Sequence, residues 1–515
     1  MGQRHVTHQA MRRTLLRTLG IALVYLVSSA HVGSPDTWFE GNAGPYHLTV
    51  QIQPAGVVPG VATVYVRATG DIPQTVTIQA NKFDATGGAP PPEPAPPVTG
   101  DAGAFSGRLW IMTGGSNSVT VAASGPEGSG KVVVPVVIVA YSRLQLDKPV
   151  AAGLLAMGAF LFVGLLTIVG AAVREGSLAA DETPTPQLKR RARNAMALAT
   201  VIVVLLAAGG WRWWNIEDRN YERSMYKPLA STASMKRTDA GDAIEVRIAD
   251  SAWIKRRDTL WLSRHDANSW SPLVEDHGKI MHLFLIRDDM SAFAHLHPAT
   301  SDSISFSSPM PSIPAGRYKV FADIVHESGF THTLTSSIDI GSSSGLPTAM
   351  GNGDDSWFVG APAGDSRTAN LQSGATMEWV QSPIIAGKPA SLRFIVRNAD
   401  GSPAQLEPYM GMPAHAVVSR DDGSVFVHLH PMGTISMASQ MAFAMRQPGD
   451  TVLGTLGKRL SAAEMSAMQH APVTIGTVSF PYAFPKPGNY RLWVQVKLGG
   501  KVNSASFDAH VGAAP

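Results

Sequence analysis

Histidines recur at fixed spacing in two stretches of this chain. His282, His295 and His297 lie in MHLFLIRDDMSAFAHLHP (281–298), and His415, His428 and His430 lie in AHAVVSRDDGSVFVHLHP (414–431), 133 residues further on with no gap. From the first histidine onward the two stretches agree at 10 of 17 positions, and six of the chain's 16 histidines fall at matching places. A neutral imidazole offers one nitrogen lone pair to a metal, and three of them on one face are a ligand set for a single ion.

Turn chemistry supplies the geometry. Asp422-Gly423 separates two alternating apolar runs, a hairpin signal. With those two residues as the loop, paired positions sum to 845, so His415 faces His430, and His428 points to the same side as His430. The same arithmetic pairs His282 with His297 and sets His295 beside them. Opposed residues have Cβ atoms ~4.5–5.5 Å apart, close enough for the rings to converge on one ion. The aspartates of both stretches read as turn residues. A histidine cluster that only ties the hairpin end together, or senses pH, is the competing reading.

Other donors qualify the choice of metal. There is no cysteine, so any ion is held by histidine, methionine, carboxylate or backbone. Eight of the 20 methionines fall between Met410 and Met468, with Met410, Met412 and Met432 nearest the second triad. Thioethers favour Cu(I) and imidazoles serve Cu(II) and zinc, so copper is expected, with zinc the alternative. The spacing of Met437, Met441 and Met445 equally fits one face of a short helix. His326 and His332 would give the first site a fourth histidine, while the second site would use methionine. His31 would become a chelating N-terminus if a leader were cleaved after Ala30.

The elements that must position these residues are strands. HLTVQIQP, ATVYVRAT, QTVTIQA, SVTVAA and KVVVPVVIVA alternate between turn residues before the first apolar span, and similar runs fill 241–341 and 371–512. The repeat reappears as AGRYKVF (315–321) and PGNYRLW (487–493), now at an offset of 172, so the second copy carries a 39-residue insertion. The fold class expected is mainly β: three immunoglobulin-like β-sandwiches and two transmembrane helices.

The domain plan follows: a signal peptide (1–30), a first sandwich (31–148), spans at 149–173 and 194–214 around a basic loop (174–193), and a tether (215–240). A second sandwich (241–341), a linker (342–370) and a third, Met-rich sandwich (371–512) complete it. Lys189, Arg190, Arg191 and Arg193 between the spans mark that loop as cytoplasmic, which places the sandwiches in the periplasm of a bacterial inner membrane. The net charge of +3 and the position of the basic clusters give no nucleic-acid surface.

HLFLIRDDMSAFAHLHP with AGRYKVFADIV, and YMGMPAHAVVSRDDGSVFVHLHP, resemble YtkA-like and related immunoglobulin-like domains of bacterial envelope proteins. The resemblance implies copper handling at the envelope and brings no catalytic residues. The function expected is a membrane-anchored periplasmic copper-binding protein, acting in resistance or delivery with other envelope metal-handling proteins. A histidine-ligated metalloenzyme and a scaffold with incidental histidines are the alternatives. No glutamate recurs near either triad, which weighs against the enzyme.

Overall fold

A computed structural model describes residues 36–83, 88–179, 181–239, 241–250, 253, 271–341, 351–361, 364–380, 382–447, 450 and 454–514. The expected signal peptide and His31 lie outside these residues. The chain divides into two units, Val139–Lys227 and the remainder. Each is described by itself.

The smaller unit holds helices α1 (Lys148–Glu175) and α2 (Pro186–Ser224), each begun by a proline in its first turn. Thr185 caps α2 by accepting from the Leu188 amide at 3.3 Å. Both helices are long and apolar enough to cross a membrane. Leu155, Phe160, Leu206 and Trp211 are exposed along them. The second helix outruns the apolar 194–214 at both ends, running from Pro186 to Ser224. Of the expected 215–240 tether, 215–224 is therefore helix and Ser231–Thr238 is strand.

The larger unit holds three β-sandwiches. The first pairs a sheet of β1 (Thr37–Ala43), β2 (Tyr46–Gln53), β3 (Gly60–Thr69) and β5 (Ala104–Ile111) with one of β4 (Thr75–Lys82), β6 (Gly115–Gly125) and β7 (Gly128–Ile138). The alternation read from sequence appears as burial: Leu48, Val50 and Ile52 face inward with Val64 and Val119.

In the second sandwich, β8 (Ser231–Thr238), β9 (Gly241–Ile248) and β12 (Ser305–Pro309) form the smaller sheet. The other is built on β10 (His282–Arg287), β11 (Ala292–Leu296), β13 (Gly316–His326) and β14 (Thr331–Ile340), in the order β14-β13-β10-β11. A further strand, β15 (Ser356–Val359), pairs with β11. It comes from the segment expected to be a linker, and it completes an otherwise open sheet edge.

The third sandwich has β16 (Thr368–Asn370), β17 (Thr376–Val380), β18 (Ala390–Arg397) and β21 (Thr477–Tyr482) in one sheet. Its other sheet runs β23-β22-β19-β20, from β19 (His415–Arg420), β20 (Phe426–Leu429), β22 (Gly488–Leu498) and β23 (Lys501–Gly512). This is the strand order of the second sandwich again. The insertion folds as two helices, α3 (Met437–Met445) and α4 (Thr455–Gln469).

The two repeated sheets pack on each other through their outer faces. Phe284, Ile286, Phe293 and Phe321 of the second sandwich meet Val417, Phe426 and Trp493 of the third in one apolar cluster. Phe293 stacks on Trp493 at 4.9 Å, and Phe321 stacks on Phe426 at 4.1 Å. Phe426 is the repeat equivalent of Phe293, and Trp493 of Phe321, so one contact is the other with the copies exchanged. That is the isologous pattern of a twofold dimer, here within one chain. Both His-x-His hairpins stand at one end of this interface.

Candidate metal centre

The hairpin registers match the arithmetic. Leu283 pairs with Leu296 and Ala416 with Leu429, which sets His282 across from His297 and His415 across from His430. The two triads do not stay apart, because the packing of sheet on sheet merges them. His282 lies 5.2 Å from His428, and His295 lies 5.5 Å from His428 and 6.4 Å from His415, ring centre to ring centre. His277 joins them, 4.9 Å from His430, 5.2 Å from His415 and 6.0 Å from His282. Seven imidazoles share one interior.

Among the described residues, two groups of three histidines present nitrogens within 4.8 Å of one another: His282, His295 and His297, and His277, His415 and His430. The first is the triad read from sequence. In the second, His277 takes the place expected of His428, which sits between the groups with its ring 4.5 Å from His430.

Hydrogen bonds fix which nitrogen four of the rings turn inward. His282 Nε2 donates to the Asp276 carbonyl at 3.0 Å, leaving the Nδ1 lone pair. His295 Nδ1 donates to Gln495 Oε1 at 2.9 Å, leaving Nε2, while the Gln495 amide donates to Ser356. His297 Nδ1 donates to Asp355 at 2.8 Å, and His430 Nδ1 to the Ile435 carbonyl at 3.0 Å. Such partners orient metal-bound histidines and raise their basicity.

The consequence is a mismatch that a bound cation would remove. His282 Nδ1 and His295 Nε2 lie 3.1 Å apart, and both are acceptors once their other nitrogens have donated. Two lone pairs at that distance repel, whereas two ligands of one tetrahedral ion sit about this far apart at metal–nitrogen bonds of ~2.0–2.1 Å. The Nε2 atoms of His297, His428 and His430, and both nitrogens of His415, are buried without a hydrogen-bond partner. An unsatisfied buried polar atom costs about 1–3 kcal/mol, which an ion held between the rings would offset.

Burial sets the protonation. It pushes His277 and His430 down to about 4 and His282 to about 3, and holds His295, His297, His415 and His428 well below the ordinary histidine value. All seven are neutral at pH 7, the form that ligates. Burial moves the carboxyls the other way: Asp323 rises to about 7, Asp355 to about 6, and Glu464 rises as well. None of the three is at a repeated acidic position, which is why a search for recurring carboxylates passes over them.

Loops and helices close the centre. Ala438 of α3 donates to Asp276 at 2.9 Å, and Glu464 of α4 accepts from the His277 and Gly278 amides at 2.6 and 3.4 Å. Asp276, His277 and Glu464 also form a convergent group of donors. Glu327 caps the start of α4, accepting from the Gly454 and Gly457 amides at 2.6 Å each. The first sandwich braces the loop after His430: the Glu40 backbone amide donates to the Met432 carbonyl and the Thr434 amide to the Trp38 carbonyl, at 2.8 and 3.0 Å.

Of the other expected donors, some lie elsewhere. His326 and His332 face each other at 5.2 Å beside Trp253 and Phe330, and among the described residues neither is in a convergent donor group. The late strands carry them to an aromatic cluster outside the group of His282, His295 and His297. Met432 packs against the core of the first sandwich. Met441 and Met445 pack along α3, as the helical-face reading has it. Met410 and Met412 are buried in the turn 409–412 beside the centre. The histidine missed from sequence is His277, whose signal was only its nearness to His282, since no histidine stands 133 residues after it.

The model of a family described as a domain of unknown function (DUF8832) matches residues 238–341 and 369–513, the two sandwiches that build the centre. No curated protein matches the chain. Among solved structures, the chain is similar to a Corynebacterium diphtheriae protein described as membrane anchored, at 9% identity and TM-score 0.14, covering 93% of this chain and 96% of that one. It is also similar to an Escherichia coli alpha-2-macroglobulin at 9% identity and TM-score 0.16, covering 93% of this chain and 31% of that one. The titin domains z1z2 match at 11% identity and TM-score 0.11, over 56% of this chain and 100% of theirs. At these scores the likenesses carry no argument about function.

Proposed function

We propose that this is a membrane-anchored metal-binding protein that sequesters two ions, copper by preference and zinc as the alternative, in a buried centre between two fused β-sandwiches. The observation that carries the proposal is the opposition of His282 Nδ1 and His295 Nε2 at 3.1 Å, each with its other nitrogen already donating. One ion belongs with His282, His295 and His297, the other with His277, His415 and His430. Copper is favoured because an all-nitrogen site without thiolate follows the Irving–Williams order, in which Cu(II) outranks zinc.

Holding fits the site better than turnover. His282, His295, His415 and His430 are at most 3% exposed, and a catalytic ion keeps a position open to substrate. Placement in the periplasm, with delivery to or from other envelope proteins, follows the basic loop between the two helices and the resemblance of the sequence. The test is thermal melting of the full chain in detergent, stripped of metal and then titrated with Cu(II) and Zn(II). A ligand at 100-fold its Kd stabilises by about 2.7 kcal/mol, so saturable upward shifts are expected. Unchanged melting with both metals would refute the proposal.

A further inference from the structure

The repeat runs further upstream than its identical residues. Val274 pairs with Val325, and Glu407 bridges Lys497; the offsets between these pairs are the same 133 and 172. Between these pairs and the hairpins lie two equivalent turns, Asp276-His277-Gly278-Lys279 and Tyr409-Met410-Gly411-Met412. Each is closed by reciprocal backbone hydrogen bonds of 2.7–3.1 Å between its first and last residues. His277 and Met410 both adopt left-handed backbone, at φ of 57° and 51°, and each is followed by a left-handed glycine. A non-glycine residue in that region is uncommon, so its recurrence at one repeat position marks the same local structure. The turns lie close together, since Met468 of α4 would meet a Cβ on Gly278 at 3.1 Å and one on Gly411 at 2.8 Å.

His277 crosses between copies. It belongs to the second sandwich but groups with His415 and His430 of the third. Exchanging the copies, as the paired aromatic stacks do, turns that group into Met410 with His282 and His297. We infer that Met410 is a thioether ligand of the first ion, at the place His277 holds for the second, so that the two positions differ in metal preference. The first, with three imidazoles and a sulfur, favours Cu(I). The second, with imidazoles alone, favours Cu(II) or zinc. The sequence suggested the reverse assignment, because His326 and His332 fall in the first copy and Met410, Met412 and Met432 in the second. This inference rests on the histidine centre proposed above.

The test is copper K-edge absorption and Ag(I) titration on the full chain in detergent, with Ag(I) standing in for Cu(I). Wild-type protein should hold one Ag(I) tightly and show copper–sulfur scattering. Met410→Leu, of similar size and shape, should lose that scattering and weaken Ag(I) at least 10-fold, with Zn(II) stoichiometry unchanged. Met468→Leu should keep both signals, and His277→Met should add a second tight Ag(I). Metal bound without sulfur scattering in the wild type, or scattering lost with Met468→Leu instead, overturns the role of Met410 and leaves the centre standing. No metal bound at all overturns both.

Discussion

Asp323 and Gln495 occupy one position of the repeat, 172 residues apart, and each faces the leading His-x-His histidine of the other copy. Gln495 Oε1 accepts from His295 Nδ1 at 2.9 Å, and Asp323 Oδ2 lies 3.6 Å from His428 Nδ1. The exchange makes each half of the centre dependent on the opposite sandwich. Gln495→Leu removes the acceptor that holds His295 in its ligating tautomer. It should weaken one ion by about 10–100-fold, the usual cost of losing such a partner. Competition titration checks this, with Asp323→Asn expected to spare that ion.

The metal-free centre is a source of instability. His415 is fully buried, and neither of its nitrogens has a hydrogen-bond partner. His415→Leu replaces it with an apolar side chain of similar size. The metal-free variant should be more stable than wild type by about 1–3 kcal/mol, the cost of an unsatisfied buried polar group. It should also lose part of the metal-induced shift. Denaturant melts with and without metal separate the two effects.

Acid should unfold the metal-free protein early. A histidine pushed down by burial is neutral when folded but takes a proton when unfolded, once the pH falls below about 6.5. Its contribution is intact above that pH and is lost as pH falls from about 6.5 to about 4 for His277 and His430, and to about 3 for His282. Each such group costs up to about 1.4 kcal/mol per pH unit in its window. Asp323 and Asp355, raised to about 7 and about 6, oppose this, since their contribution is lost as pH rises towards those values. With Glu464 they are three raised carboxyls against seven lowered histidines, so stability should fall from pH 6.5 to pH 5. Melting across that range checks the sign.

Gly433 ties the first sandwich to the centre. It sits at φ 120°, and a Cβ there would lie 2.1 Å from the Trp38 carbonyl oxygen. Neither backbone can yield cheaply. Gly433→Ala should cost at least about 1–3 kcal/mol through strain alone, and should loosen the loop whose Ile435 carbonyl orients His430. Lower melting together with weaker binding of the second ion is the expected pair of readouts.

Much of this was legible in the sequence where chemistry is local. Asp-Gly fixed the register of the second hairpin, and with it the facing of His415 and His430. Alternation gave the mainly β fold class, and the repeat gave equivalent sheets. What stayed hidden depends on contacts between distant segments. His277 is opposite a methionine in the repeat and so fails a test for recurring histidines. Asp355 and Ser356 sit in a stretch whose composition reads as linker, until β15 pairs with the edge of β11. The merging of two triads into one centre depends on Phe293, Trp493, Phe321 and Phe426 making outer sheet faces apolar, a signal that alternation assigns to strands but not to partners.

The central claim is that two ions are held by two groups of three histidines, and metal content tests it most directly. Full-length protein in detergent, loaded with copper and passed over a desalting column, should retain two ions per chain. His282→Ala/His295→Ala should retain one, and the same pair with His415→Ala/His430→Ala should retain none. Wild-type protein that emerges without metal, or all three proteins with equal content, would contradict the account.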